Sequence, residues 1–558
     1  MPTPKLSGKN VKMRYPMRLA LMILTAALAA TAQEDHSQHQ HAVAGLGTVN
    51  LSTSCNPQAQ QLISRGAAML HSFGYEEARL TFSKAAKADP TCGMAYWGVA
   101  RTWYHPIWAP PTKDEFTQGA AAMDLALATG AKTARERDYI NSLAVFYKDR
   151  QTGDNATRAK AYEQALAKVS ERYPGDDEAA IFHALQLVAI GYLDPTDKTY
   201  TWQKKGAAIL NQLLPMHPNH PGIAHYIIHS IDYPSTAELG LQAARAYAKI
   251  APDSSHAQHM PSHIFTRLGL WDDSIASNTA ASRSAIAQVE RLHGGGGSFD
   301  QLHAVDYLVY AYLQEAKDNS AQKLLTDIGT IRRLDDNNQL AAAYAFAAIP
   351  ARWALERHDW NAAATLEIQP AWFPWNQFRS SEAVLHYAKA VGAARAGDVA
   401  AARRSVDELN AIRKALPVTH DYDWSGLIGA QSEAASALIV FADGNKDEAL
   451  RLLRAAADHE DAIDKHPVTP GALLPIREML ADLLLEHGSA TAALKEYQSV
   501  LKSAPRRFNA TAGAAKAADK SGDRSQARAY SLQLLEIAKD AETSRPELVW
   551  AHSYLAGK

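Results

Sequence analysis

The sequence predicts an all-α fold built from repeated helix pairs, an α-solenoid, and three observations predict it. Hydrophobic residues make up 47% of the chain. Many are alanine, and they recur at helical spacing with few runs of the β-branched residues that favour strands. Segments opened by glycine return along the chain in a similar pattern, and two of these glycines, Gly488 and Gly522, stand 34 residues apart. At 558 residues the chain exceeds one ordinary globular domain, a length that a repeat array reaches by adding neighbours.

The N-terminus reads as an address. Lys5, Lys9, Lys12, Arg14 and Arg18 precede the apolar run LALMILTAALAATA, Leu19 to Ala32, which is short for a bilayer span and ends in small residues. Residues 1–32 are expected to be a signal peptide cleaved near Ala32, with Ala30 and Ala32 as the small pair; the competing reading is a first core helix. No cysteine sits at that boundary, so no membrane anchor is expected after cleavage. The mature chain is expected to be secreted, in a bacterium periplasmic. Residues 33–54, which include HSQHQH (His36 to His41), read as a flexible segment that either gathers metal or is an inert polar linker.

The first repeat-like unit runs from Gln58 to Pro90 and carries Gly66, Tyr75, Ala78, Phe82, Ala85 and Pro90. Small residues let two helices cross closely, an aromatic fills the space between them, and proline ends the second. Similar patterns occur at Gly444 to Ala457, Gly488 to Pro505 and Gly522 to Leu535. In these residues the chain resembles the tetratricopeptide repeat (TPR) family, whose unit is a helix–turn–helix of about 34 residues. The resemblance implies a TPR-type α-solenoid, a superhelix of antiparallel helix pairs, with on the order of ten repeats over about three quarters of the mature chain. It is clear at both ends and degenerate in the middle, which divides the chain into residues 55–176, 177–343 and 344–558. Cys55 and Cys92, the only two cysteines, lie 37 residues apart, each just before the first helix of its unit. A disulfide stapling the N-terminal cap fits that register, and export permits it.

Histidine is concentrated in the degenerate middle. Seven of the 22 histidines fall between His217 and His263, where the chain average places about two. Pro218 and Pro252 are 34 residues apart, and in that register His225 pairs with His259 and His229 with His263, each 34 residues on. The insertion GGGG (Gly294 to Gly297) lengthens the next interval to 44, where His303 takes the place of His259 and Tyr307 that of His263. Counting from Ser255, His256, His259 and His263 are the second, fifth and ninth residues of their unit, positions that line the concave groove in the TPR family. The resemblance therefore implies that these side chains face a groove, and Asp232 continues the stripe. By the same count Trp97, Arg101, Tyr104 and His105 turn toward the groove, with His71 one helix earlier. Aromatic residues at helical spacing are as readily core. Pro261 either kinks a helix or starts one. His217 and His220, each beside a proline, can simply cap or turn the chain.

Packed helices sit about 8–10 Å apart, close enough for histidines on neighbours to share an ion bound at about 2 Å. His225, His229, His259 and His263 could thus surround one ion, or with His303 and Asp232 support two. Imidazole ligation suits copper or zinc and disfavours magnesium or calcium, which prefer oxygen. Charge excludes other classes: 57 basic against 59 acidic residues, a net of −2, give no footprint for nucleic acid or an anionic membrane. No GxSxG, GxxxxGK[ST], HExxH or CxxC occurs. Three readings follow: a metal-dependent redox or hydrolytic enzyme, a metal-free scaffold that takes an extended peptide or protein partner, and a metal store or carrier. In the first, a small molecule lies in the groove as substrate, beside His256, Tyr307 and the aromatic residues.

Overall fold

The computed structural model describes residues 41–107, 110–148, 154–194, 197–335, 339–417 and 422–557. The expected signal peptide and the HSQHQ stretch lie outside the described residues. The described residues from His41 onward form one compact unit, so the three repeat regions are stretches of a single solenoid. Its helices pack mainly against their sequence neighbours, as antiparallel pairs stacked one on the next. The predicted packing device is present: Phe82 lies between Gly66 and Gly98, and a Cβ on Gly98 would stand 2.2 Å from its ring. Gly488 and Gly522 take positive φ of 86° and 84° at the ends of their helices, a conformation that costs other residues about 1–2 kcal/mol.

Residues 41–54 differ from the flexible segment expected. Strands β1 (His41–Val43) and β2 (Gly47–Val49) form an antiparallel hairpin. It is anchored by Thr48 N–H on the Asn219 carbonyl (2.9 Å) and Asp253 N–H on the Gly45 carbonyl (3.0 Å). Leu46 in its turn, Val49 in β2 and Leu51 just after it are buried, and that apolar burial is what holds down a segment whose composition reads as polar. Cys55 and Cys92 are joined as a disulfide.

Seven helices position the site and are labelled in chain order: α1 (Pro57–His71), α2 (Asp177–Tyr192), α3 (Pro221–Ile231), α4 (Ser255–His259), α5 (Pro261–Arg267), α6 (Trp271–His293) and α7 (Phe299–Gln314). The start of α3 is set by the His220 ring, which accepts the Ile223 N–H (3.3 Å), and by Pro221 at its first position. Ser254 caps α4 34 residues later, so the repeat register is kept. Met260 remains right-handed helical, but Pro261 has no N–H to continue the ladder, and α5 begins there. The chain thus turns one helical stretch into two with no change of direction in sequence register. The extra residues before His303 are not a loop alone: α6 runs for 23 residues, against 10 for the corresponding Leu241–Ile250 helix. Gly294 to Gly296, all at positive φ, then turn the chain into α7.

The superhelix closes on itself. Helix α1 packs on α3, and α7 packs on the Phe508–Lys520 helix near the C-terminus. The loop between the Lys446–Asp461 and Ile476–Glu486 helices reaches back to the middle, where Lys465 Nζ meets Asp232 (3.0 Å) and Tyr307 donates to the Thr469 carbonyl (3.0 Å). The histidine stripe consequently does not line an open groove. Its side chains are covered by α1 on one side and by residues 465–471 on the other, which is a correction to the exposed concave surface expected from the repeat pattern. The helix Trp424–Ala442 is long and apolar enough to cross a membrane by length and composition. Here it is packed between its solenoid neighbours.

Candidate metal centre

Six buried histidines meet where α3, α4, α5 and α7 converge. They form two triads: His225 and His229 from α3 with His256 from α4, and His259 from α4 with His263 from α5 and His303 from α7. In each triad one nitrogen from every ring lies within 4.8 Å of the others. The grouping departs from the four-histidine set that register suggested. His256, which sequence placed as a substrate contact, belongs to the first triad, its Nε2 3.0 Å from that of His225. His259 and His263 turn to His303 instead of to α3.

Hydrogen bonds fix the tautomers. His225 Nδ1 donates to the carbonyl of His71 (2.7 Å). Asn278 sends its amide N–H to the Ser274 carbonyl (2.8 Å), so its oxygen faces His259, whose Nδ1 donates to it (2.7 Å). His263 Nδ1 donates to the Asp232 carboxylate (2.9 Å). Each of these three rings therefore carries its proton on Nδ1 and presents a lone pair at Nε2. In the second triad the consequence is sharp: Nε2 of His259 and Nε2 of His263 face each other at 3.0 Å with no proton available between them. Two converging lone pairs repel in a buried space, and a cation bound by both nitrogens removes that repulsion.

Burial keeps these rings neutral. It is the largest cause of the downward pKa shift at all six, taking His225 to about 3 and His229, His256, His259 and His303 well below the ordinary value, with neighbouring histidines adding to the effect. His263 is also lowered by burial, against the opposing pull of Asp232. Neutral imidazoles are ready ligands, needing no proton released on binding. Burial alone would raise the Asp232 carboxyl, but Lys465, Arg267 and the His263 hydrogen bond together outweigh it and hold the group ionised. Arg267 Nε lies 2.8 Å from Asp232. A carboxylate that orients a histidine from behind, itself held by two cations, is the usual support of a metal-bound imidazole.

A third group, His71, Glu178 and His220, also has the composition of a metal site, but its bonds close without one. Glu178 accepts from His71 Nε2 (2.9 Å) and His220 Nε2 (3.0 Å). His71 Nδ1 meets the Tyr226 hydroxyl at 2.9 Å, and His220 Nδ1 is the cap described above. Every ring nitrogen has a partner of the right kind. The group is a hydrogen-bonded brace whose His71 carbonyl orients His225.

The remaining residues expected at the groove go elsewhere. Trp97, Arg101 and Tyr104 are buried in the N-terminal repeats: Trp97 sits edge-on to Tyr139 and Phe182, Arg101 bonds the Tyr104 carbonyl (2.8 Å), and the Tyr104 hydroxyl reaches Gln186 (3.2 Å). The short helix that carries Trp97 and Arg101, Gly93–Arg101, is buried on nearly every face, so a helical count cannot tell its groove side from its core side. His105 is half-buried, its ring tilted at 42° to that of Tyr75 with centroids 4.2 Å apart, and it lines two cavities. Tyr307 walls the second triad, its hydroxyl 3.3 Å from His263 Nδ1.

Sequence reasoning passed over Phe73, Asn278, Arg267, Lys465 and Glu178. Phe73, held at φ 56°, places its ring 4.4 Å from that of His225 and 5.4 Å from that of His256. Arg267 lies four residues after His263 and could have been read by extending the stripe one turn. Asn278, Phe73 and Lys465 come from other helices and loops, and no local pattern marks them.

One cavity, of about 160 Å³, opens on His256 between aromatic rings, Phe73, Trp103 and Phe299 among them, and charged groups that include Arg79, Glu115 and Asp300. A larger one, of about 280 Å³, lies behind Lys465 among Tyr192, Tyr200, Tyr233 and Tyr422.

Helix pairing and register make the chain an all-α, TPR-type solenoid. No protein-family model matches it, and no curated protein does. Among solved structures it is similar to the human IFIT1 dimer with PPP-AAAA, at 11% identity over 85% of this chain and 89% of that one, TM-score 0.35. It is similar to the TPR domain of P58(IPK) at 13% identity over 68% and 99%, TM-score 0.21. It is also similar to the APC/C hetero-tetramer Cut9-Hcn1 at 12% identity over 89% and 96%, TM-score 0.28.

Proposed function

We propose that this chain is an exported TPR-type protein whose two histidine triads hold transition-metal ions, copper or zinc. The observation that carries the reading is the pair of Nε2 lone pairs of His259 and His263, 3.0 Å apart with both Nδ1 protons committed elsewhere. The donor set supports copper or zinc over hard cations, since neither triad contains an oxygen ligand. Export is supported by the basic and apolar leader and by the bridged Cys55 and Cys92, a pairing that persists in oxidising compartments. A small molecule, entering by the cavity over His256, fits the closed site better than an extended peptide, because the protein's own residues 465–471 occupy the side a peptide would need. A protein partner on the outer solenoid surface is compatible with this reading.

Metal analysis of purified protein tests it. After reconstitution with copper or zinc and gel filtration, the wild type should retain stoichiometric metal. The variant His259→Ala/His263→Ala should lose the ion of the second triad while His220→Asn, in the hydrogen-bonded brace, keeps its full content. Wild-type protein that holds no metal overturns the proposal.

A further inference from the structure

The two triads are neighbours, and their spacing bears on what the ions would do together. Within the first triad, ring centroids lie 4.8 Å (His225 to His229 and to His256) and 6.1 Å (His229 to His256) apart. Within the second they lie 4.3, 5.0 and 5.7 Å apart. Across the boundary, His229 is 6.3 Å from His263 and His256 is 6.5 Å from His259. Rings of different triads are thus scarcely farther apart than rings of the same one. Three imidazoles per ion, with no protein oxygen among the ligands, leave each ion an open position.

We infer that the two triads are one dinuclear copper centre whose external ligand is dioxygen, an inference that rests on the metal-binding reading above. The chemistry of the donors selects the metal. Paired ions that hydrolyse esters are typically hard or borderline cations bridged by carboxylates or water, about 3.5–4 Å apart, and neither triad offers a carboxylate. Imidazole suits copper, and it ligates both Cu(I) and Cu(II). The burial of the site limits the ligand to something small, since all six histidines are almost fully enclosed. The cavity over His256 narrows between Phe73 and Phe299, with Glu76, Arg79, Glu115, Asp300 and Asp335 farther round its wall; a diatomic is small enough to pass the two rings.

The electrons balance within the site. Each Cu(I) gives one electron, dioxygen takes both, and the product is peroxide bound between two Cu(II) ions. No proton and no external reductant enter this step, and release of dioxygen reverses it. A single copper could supply only one electron, so the pairing is what makes two-electron binding available.

Copper-loaded protein, confirmed as Cu(II) by its X-ray absorption edge, should hold two ions per chain. A ligand bridging them should couple the two spins, so the paramagnetic resonance signal should integrate to less than a tenth of the copper present. The variants His225→Ala and His303→Ala, each missing one ligand from one triad, should lose one ion and give a full one-spin signal from the other. Anaerobic Cu(I) protein should take up one dioxygen per two copper ions with a new near-ultraviolet band, and the variants should not. Two copper ions with a full two-spin signal, or Cu(I) protein that takes up no dioxygen, would each overturn the inference and leave the metal-binding proposal standing, whereas one copper ion in the wild type would overturn the inference and confine metal binding to a single triad. Absence of any metal defeats that proposal instead, so the two failures are told apart.

Discussion

Asp232→Asn separates the two jobs that this carboxylate performs. Asp232 is buried and meets three donors: His263 Nδ1 at 2.9 Å, Arg267 Nε at 2.8 Å and Lys465 Nζ at 3.0 Å. Asparagine keeps the size but carries no charge, and its amide N–H is turned toward groups that also donate. Two cations then lose their anion in a buried space, and breaking such a pair costs about 3–5 kcal/mol. The second job is to hold the tautomer of His263. Loss of an orienting partner behind a metal-bound histidine typically weakens metal about 10–100-fold, or about 1.4–2.7 kcal/mol. Urea unfolding of metal-free protein reads the first effect, and titration against a competing chelator reads the second. Adding Lys465→Met removes one of the stranded cations, so the double variant should recover part of the lost stability while metal affinity stays low. An Asp232→Asn protein as stable as the wild type would show that Asp232 does not offset its two cations, and one that binds copper with unchanged affinity would show that it does not orient His263.

Three further predictions concern the frame around the site. Arg507→Met should lower the urea midpoint by an amount equivalent to about 3–5 kcal/mol, because Arg507 is fully buried between Glu356 (2.8 Å) and Glu478 (2.7 Å) and its removal leaves two unpaired carboxylates. Cys55→Ser/Cys92→Ser should cost up to about 4 kcal/mol by the chain-entropy estimate for a closed loop of this length, with 37 residues separating the bridged cysteines; equal thermal stability of bridged and reduced protein would contradict it. Asp482 has its carboxyl pushed up to about 7 by burial and then by Glu478. The folded chain therefore keeps a proton there that the unfolded chain gives up near pH 4, so stability falls as pH rises from about 4 to about 7. Asp482→Asn removes that dependence, and since the group is half-buried the gain at pH 8 should be about 1–2 kcal/mol with none near pH 4. A difference between variant and wild type that does not change with pH would count against this.

The solenoid was legible because its signals are local and periodic. Gly66 with Phe82, and the spacing of Gly488 and Gly522, report contacts inside one unit or between successive units. Register likewise put His225 and His229 in line with His259 and His263, and the structure keeps that offset from the cap of α3 to the cap of α4. What register could not supply was the closure of the superhelix. Phe73 reaches the triads because α1 packs on α3, and Lys465 does so because a loop more than two hundred residues away folds back on Asp232. Both are long-range consequences of accumulated repeat curvature, which small changes in helix length control. The 23-residue α6 is one such change, and it is invisible to a count that treats the GGGG insertion as a loop. The split into two triads follows from side-chain direction. His256 and His259 lie on one short helix but turn to opposite neighbours, His259 bonding Asn278 and His256 meeting His225, a choice that spacing does not make.

Whether metal sits in the two triads is decided by diffraction from copper-grown crystals collected at the copper absorption edge. Two anomalous peaks are predicted, one within about 2.0–2.1 Å of nitrogens from His225, His229 and His256 and the other at the same range from His259, His263 and His303. A map with no anomalous density among these six residues, while the His259 and His263 nitrogens still face each other, would contradict the account.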